Sequence, residues 1–234
     1  VRDAEHVEKA FDFSGMGARN GVTAAIMAQM GFSGVWDVFD CEHNVLQALS
    51  TQSQPEEMVA DLGSRFYVTE TAIKPYSVGY PIQAPLDALE ILMKRRPFEA
   101  RDVRKVTVWL ATRESTVVNN RDIPDICLQQ MVAVMLLDKT VSFHGSHDAE
   151  RMRDPAVLAE RTKIELLPEK ELDRGVREAI VEVELTDGTK LREHVRDVRG
   201  TAANPMPRAE VVAKCRDLIA PVMGSAKGEA LIER

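Results

Sequence analysis

The sequence predicts an α+β fold. Within residues 103–111 (VRKVTVWLA), apolar side chains recur at every second position, which is the pattern of a half-buried strand. Residues 179–198 alternate in the same way on both sides of Asp187-Gly188, a dipeptide that favours a short hairpin turn. Other segments, such as residues 18–30, repeat their apolar residues at helical spacing. The chain is therefore expected to contain both an antiparallel hairpin and amphipathic helices.

The two strand patterns lie in the middle of the chain. Residues 66–204 mix helical and strand patterns, whereas residues 1–65 and 205–234 are helical in pattern. We therefore expect that residues 1–65 and 205–234 belong to one helical domain and that residues 66–204 form an inserted α+β lid domain. The helical ends should expose a broad apolar face toward parts of the protein that lie outside this chain.

Further elements follow from residue propensity and from the positions of proline and glycine. Gly31 is expected to end the first helix. The other expected elements are a helix opened by Pro55 and closed by Gly63, strands at 66–69 and 163–168, a helix ending near Arg96, a buried helix ending at Asp138, two short helices separated at Pro155, and a last helix opened by Pro207.

Composition and charge exclude several classes of protein. A chain of 234 residues with 44% hydrophobic residues can bury a core and does not have the composition of a disordered segment. The net charge of −7 and the absence of a basic stripe argue against a nucleic-acid partner. No stretch approaches the roughly 18 to 20 apolar residues of a membrane span. Cys41, Cys127 and Cys215 are far apart, which is typical of free thiols in a reducing cytoplasm.

The stretch KPYSVGYPIQAPLDALEIL, residues 74–92, passes from a polar loop into an amphipathic helix. One interpretation is that this stretch is simply a helix entrance, in which Lys74 is solvated, the Tyr76 ring is packed under the loop and Gln83 has no binding role. The three side chains can also form one wall of an anion site, with the Lys74 ammonium facing a polycarboxylate. In that case Lys74 and Gln83 should lie on the polar side of a loop that faces a cleft. The helix should then pack on the sheet through its leucines, Leu86, Leu89 and Leu92.

Two further places could bind a carboxylate. Arg19 and Asn20 lie at the start of the first helix, where free N–H groups and the helix dipole favour anions. Arg19 could grip a carboxylate with two hydrogen bonds. The loop VVNNRDIPD, with Asn119, Asn120 and Arg121, is a second possible carboxylate contact. The alternatives are a solvated arginine in the first helix and ordinary turn chemistry in the loop.

His144 and His147 raise the question of a metal site. They lie with Asp148 in SFHGSHD, but a metal site needs three or four ligands of suitable geometry. A loop with a helix cap explains this segment more simply, and we expect no metal.

Four stretches, in order along nearly the whole chain, resemble motifs of the MmgE/PrpD family. They are GARNGVTAAIMAQMGFSG, KPYSVGYPIQAPLDALEIL, CLQQMVAVMLLDK and GTAANPMPRAEVVAKCRDL. The resemblance implies a helical domain with an inserted α+β lid, a homodimer, and no metal or organic cofactor. It also implies chemistry on small di- or tricarboxylic acids in the cleft between body and lid. Family members are considerably longer, so this chain resembles their C-terminal part.

The resemblance also assigns residues. Lys74 matches the lysine of the family's lid, and Tyr76 matches the same motif, so both are candidate catalytic residues. Gln83 lies in the same motif and is a candidate substrate-binding residue, together with Arg19, Asn20 and Arg121 from the helix-terminus and loop arguments above.

Several positions depart from the family pattern. Gln83 stands where many members have histidine, and Gly79 where others have cysteine or histidine. The remaining departures are Ala10 and Phe13, in place of lysine and histidine, and Cys127, Gln129 and Gln130, in place of serine, proline and tyrosine. Two hypotheses therefore stay open. The protein is a lyase or isomerase that abstracts a proton next to a carboxylate, or it is a non-catalytic member that binds a carboxylate ligand or a partner subunit.

Overall fold

The computed structural model describes residues 15–172 and 177–233, which divide into two compact units, residues 15–69 and 70–233. Ala10 and Phe13 lie outside the described residues.

The first unit contains α1 (Met16–Gln29), α2 (Val45–Leu49) and a 3-10 turn at Pro55–Met58. α1 ends where the sequence predicts, because Gly31 has a φ of 93° and turns the chain out of the helix. The helix predicted to run to Gly63 is shorter than expected, since only the 3-10 turn forms at its start.

The strand predicted at residues 66–69 is wrong. These residues lie at a 3-10 turn, Tyr67–Glu70. The N–H and the hydroxyl of Thr69 both donate to the carbonyl of Phe66, at 3.0 and 2.7 Å. A side chain that bonds its local backbone competes with strand pairing, so the β propensity of this segment is not realised.

No described residue of the first unit is buried. Trp36 is 99% exposed and Met30 75% exposed. Many other large apolar side chains of this unit are also exposed, among them Val22, Ile26, Phe32, Val35, Phe39, Leu49 and Leu62. Exposed apolar surface of this extent is typical of an interaction surface.

The second unit is built on a four-stranded mixed sheet of order β2-β1-β3-β4. β2 runs parallel to β1, and the other neighbouring pairs are antiparallel. The predicted hairpin is confirmed, with Gly188 at a φ of 85° in the turn between β3 and β4, and so is the α+β class. The strands are β1 (Val103–Leu110), β2 (Ile164–Pro168), β3 (Ala179–Leu185) and β4 (Lys190–Val195).

The described α-helices of the second unit are α3 (Tyr80–Arg95), α4 (Thr112–Val118), α5 (Leu128–Asp138), α6 (Phe143–His147), α7 (Pro155–Arg161), α8 (Arg208–Met223) and α9 (Ser225–Ile232). Among them, α3, α4 and α5 contact the sheet. α3 packs on β3 and β4 and beside α5, which also contacts α7 and β2. The short helices α4 and α9 were not predicted from the sequence.

The core lies between the sheet and α3 and α5. Leu86, Leu89 and Leu92 are fully buried in one cluster with Val108 and Val181 of the sheet. The prediction that these leucines face the sheet is confirmed. Each fully buried leucine contributes about 1.5–3 kcal/mol, so α3 is firmly fixed, and with it the end of the loop that leads into it.

The C-terminal helices α8 and α9 belong to the second compact unit. Asp217 of α8, for example, accepts a hydrogen bond from the backbone N–H of Phe143 at 2.7 Å. The expectation that residues 205–234 share a helical domain with residues 1–65 stays a prediction.

Among residues 15–172 and 177–233, no helix combines the length and the apolar character that crossing a membrane requires. Within the same ranges, no group of three or more His, Cys, Asp or Glu side chains is placed to hold a metal ion. His144 and His147 lie in α6, whose first turn is capped by Ser142, which accepts from the N–H of Gly145 at 3.0 Å.

Candidate functional site

The side chain of Gln83 holds the loop that precedes α3 through hydrogen bonds to the loop backbone. Its amide nitrogen donates to the carbonyls of Tyr76 and Val78, at 2.9 and 3.2 Å, and its amide oxygen accepts from the N–H of Tyr76 at 3.2 Å. Gln83 is 1% exposed. The expectation that it lies on the polar side of the loop is therefore wrong, because its amide satisfies backbone groups inside the loop. A contact of Gln83 with substrate stays a prediction.

Lys74 lies half-buried at the start of the same loop. Its ammonium closes across the loop and donates to the carbonyl of Val78 at 2.9 Å. Its own carbonyl accepts a hydrogen bond from the ammonium of Lys214 on α8. Both the side chain and the backbone of Lys74 are thus held by the protein.

Tyr76 packs beneath the loop and is 7% exposed. Its hydroxyl donates to the carboxylate of Glu90 at 2.5 Å and accepts from Arg199 at 3.1 Å. Burial, and then the negative charge of Glu90, raise the pKa of the Tyr76 phenol well above its usual range. The phenol therefore keeps its proton at neutral pH. These contacts agree with the packed-ring interpretation, and a catalytic role for Tyr76 stays a prediction.

Arg199 joins three carboxylates around this tyrosine. Its guanidinium donates to Asp87 at 2.9 Å, to Glu90 at 2.5 Å and to Glu210 at 2.8 Å, and its backbone N–H donates to Asp87 at 3.2 Å. Burial raises the pKa of Asp87 although Arg199 opposes this. Burial would also raise the pKa of Glu90, but hydrogen bonds from Lys94 and Tyr76 and the charge of Arg199 hold it below its usual value.

Sequence reasoning missed Arg199. Its partner Asp87 is 112 residues away along the chain, so no helical or strand periodicity links the two. The available signal in the sequence was the stretch GTAANPMPRAE, residues 200–210, which directly follows Arg199 and ends at its partner Glu210.

Gly200 fixes the other end of the loop. Its φ is 90°, and its carbonyl accepts from the N–H of Ile73 at 2.8 Å. A Cβ at this position would lie 1.8 Å from the carbonyl oxygen of Ile73. Only glycine allows this conformation and this close approach together.

A second loop, residues 119–127, meets the first one ahead of α5. The N–H of Gly79, at the N-cap of α3, donates to the carbonyl of Asp125 at 2.7 Å. From the first turn of α5, the amide nitrogen of Gln129 donates to the side-chain oxygen of Asn119 at 2.7 Å, and its amide oxygen accepts from the N–H of Asn120 at 2.8 Å. Arg121 is half-buried in this loop. The loops that carry Lys74 and Arg121 are therefore neighbours, and each leads into one of two adjacent helices.

Three of the positions that depart from the family pattern, Cys127, Gln129 and Gln130, lie at the N-cap and in the first turn of α5. Gln130 is fully buried, and its oxygen accepts from Arg161 at 3.5 Å. Its amide nitrogen has no hydrogen-bond partner among the described residues. Burial raises the pKa of the neighbouring Cys127 thiol, although the N–H of Gln130 and the charge of Arg161 oppose this.

Arg19 and Asn20 belong to the first unit. Both lie in α1 and both are exposed. Their proposed contact with substrate stays a prediction.

The family model of the MmgE/PrpD C-terminal domain matches residues 76–234. This segment contains the first loop from Tyr76 onward, the second loop, the sheet, and the helices α3, α5 and α8. The chain belongs to the MmgE/PrpD family. Tyr76, Gln83 and Arg121 lie within the matched segment, and Lys74 lies just before it.

Two relatives of this MmgE/PrpD chain come from Aspergillus. The cis-aconitate decarboxylase of Aspergillus terreus is 24% identical over 237 residues, which cover 91% of this chain and 48% of the relative. The cis-aconitate decarboxylase-like protein oryM of Aspergillus oryzae is 27% identical over 106 residues, which cover 40% of this chain and 22% of the relative. The chain thus spans at most about half the length of these relatives.

Proposed function

We propose that the protein containing this chain is a lyase or isomerase that acts on a small di- or tricarboxylic acid by abstracting a proton next to a carboxylate. The observation that carries the proposal is the hydrogen bond between Gly79 and Asp125, at which the loops bearing Lys74 and Arg121 meet ahead of α3 and α5. The similarity to a protein named cis-aconitate decarboxylase supports the choice of a polycarboxylate substrate.

The two cations suit such a substrate. The Lys74 ammonium has three donors, so it can bind a carboxylate while it also donates to the carbonyl of Val78. The Arg121 guanidinium can bind a carboxylate with two parallel hydrogen bonds. The first turns of α3 and α5 add backbone N–H groups that favour negative charge. Lys74 can also supply a proton if its pKa is lowered in the complex.

The remaining proton-transfer groups are proposed to come from outside this chain. Arg19 and Asn20 are proposed to contribute to substrate binding from the helical portion. Because this chain spans 48% of the decarboxylase it resembles, we propose that it supplies one part of the enzyme and is inactive alone. The exposed apolar side chains of the first unit support this, since they need a covering partner, from the rest of the enzyme or from the second subunit of a homodimer.

A non-catalytic carboxylate-binding protein is the second candidate. One observation favours it: Gln83, in the place of the family's histidine, uses its amide to hold the loop backbone. Neither Gln83 nor Gln130 can transfer a proton at neutral pH. The two cationic loops would remain able to bind a carboxylate.

The experiment is a substrate panel with the full-length protein in D₂O, followed by ¹H NMR. The panel contains cis-aconitate, citrate, 2-methylcitrate and iminodisuccinate. Proton abstraction next to a carboxylate predicts product, or at least deuterium incorporation at that carbon. Binding of one of these acids without product or exchange would support the non-catalytic candidate, and no binding of any of them would contradict both.

A further inference from the structure

We propose that Lys214 of α8 is a positioning residue for Lys74 and that α8 acts as a brace for the loop at residues 74–79. The part of this inference that concerns substrate binding rests on the function proposed above. Lys214 contacts no substrate in this proposal, and it acts only through the backbone of Lys74.

The first observation is the hydrogen bond from the Lys214 ammonium to the Lys74 carbonyl. It joins positions that are 140 residues apart in the chain. The acceptor is the backbone of the residue whose ammonium is proposed to face the substrate. Loss of this bond would remove a side-chain contact from α8 that holds the backbone of the residue before Pro75.

The second observation is that α8 reaches the same loop at a second point. Glu210 and Lys214 are four residues apart, so they share one face of α8. Glu210 binds Arg199, whose guanidinium in turn donates to the hydroxyl of Tyr76. The same helix face therefore holds Lys74 directly and Tyr76 through one arginine.

The brace complements contacts made by the loop's own surroundings. Gln83 holds the middle of the loop, and the carbonyl of Gly200 holds Ile73. Neither contact reaches the carbonyl of Lys74. A rigid support is needed because a shift of about 1 Å is enough to impair a binding or catalytic group.

Amide hydrogen exchange tests the brace without any activity measurement. The probe is the N–H of Tyr76, which is bonded to Gln83 and exchanges only when the loop opens. Lys214→Met should accelerate its exchange about five- to tenfold, as expected for one lost hydrogen bond of ordinary strength. Lys214→Arg, which keeps a donor, should restore slow exchange. Lys227→Met, at an exposed lysine of α9, should leave the exchange rate unchanged.

A double-mutant cycle in the full-length protein tests whether the brace acts through Lys74. Lys214→Met should weaken cis-aconitate binding several-fold in the wild type and should have no further effect in Lys74→Ala. A general loss of structure would weaken binding equally in both backgrounds and would contradict the inference.

The outcomes separate this inference from the proposed function. Unchanged Tyr76 exchange in Lys214→Met overturns the brace. If that variant proves unfolded, Glu210→Gln tests the second contact of the brace by the same exchange measurement, because Glu210 is the partner of Arg199 on the same face of α8. Unchanged Tyr76 exchange in this variant overturns the brace as well. If exchange accelerates but Lys74→Ala binds cis-aconitate as well as the wild type, the brace stands and the proposed role of Lys74 fails.

Discussion

Gln83 and Tyr76 are joined by a pair of hydrogen bonds, in which one side-chain amide satisfies both the N–H and the carbonyl of a single backbone residue. This arrangement fixes the backbone between Lys74 and the first turn of α3. It explains how a short polar loop with proline and glycine can hold one conformation.

Removal of the Gln83 amide should therefore destabilise the second unit. Gln83→Ala leaves the buried N–H and carbonyl of Tyr76 without the amide that satisfies them, which costs about 1–3 kcal/mol. Urea titration followed by circular dichroism measures this loss. The control, Gln47→Ala, changes an exposed glutamine and should lie within about 0.5 kcal/mol of the wild type. Equal stability of the two variants would mean that the Gln83 contacts are dispensable.

Gly200 provides a prediction about close packing. Gly200→Ala should cost more than about 3 kcal/mol, because the new Cβ would meet the Ile73 carbonyl oxygen at 1.8 Å in addition to the strain of a positive φ. Gly188→Ala is the matched control, since its φ is also positive but open space surrounds the position. It should cost only about 1 kcal/mol. Thermal unfolding of both variants separates the collision from the backbone strain, and similar losses would argue against the collision.

The buried phenol of Tyr76 makes the free energy of unfolding depend on pH in the alkaline range. Its folded pKa is raised by burial and then by Glu90, so the unfolded chain releases the phenol proton near pH 10 while the folded protein keeps it. The stabilising contribution is complete below about pH 10 and is lost above it, at up to about 1.4 kcal/mol per pH unit. Tyr76→Phe should remove this part of the decline between pH 10 and 11 in urea titrations. Tyr67→Phe, at an exposed tyrosine, should decline like the wild type. A decline in Tyr76→Phe as steep as in the wild type would contradict the buried phenol.

Elements set by local pattern could be predicted from the sequence. The hairpin at Asp187-Gly188, strand β1 and the leucine face of α3 all follow from side-chain spacing and turn propensity. The strand expected at residues 66–69 failed because the Thr69 side chain bonds its local backbone.

The polar contacts of the site could not be predicted in the same way. Asp87 reads as a solvated helix residue, yet it is 5% exposed and pairs with Arg199 from a distant segment. A polar surface is likewise what the sequence predicts for Gln83, because its side chain is polar and lies near the start of the helix. Helical spacing describes which face is apolar, but it does not tell when a distant arginine or a returning loop covers the polar face as well.

The central claim is that buried leucines of α3 hold a rigid loop that presents Lys74 to a carboxylate. Comparison of two alanine variants, one at Lys74 and one at Leu89, tests this claim most directly. In the full-length protein, Lys74→Ala should weaken cis-aconitate binding or turnover at least about tenfold with little change in the free energy of unfolding. Leu89→Ala, which empties a fully buried site, should cost about 2–5 kcal/mol of stability, while the folded fraction should still bind the acid. Binding and turnover that are unchanged in Lys74→Ala would contradict the claim and would reduce the stretch to a helix entrance.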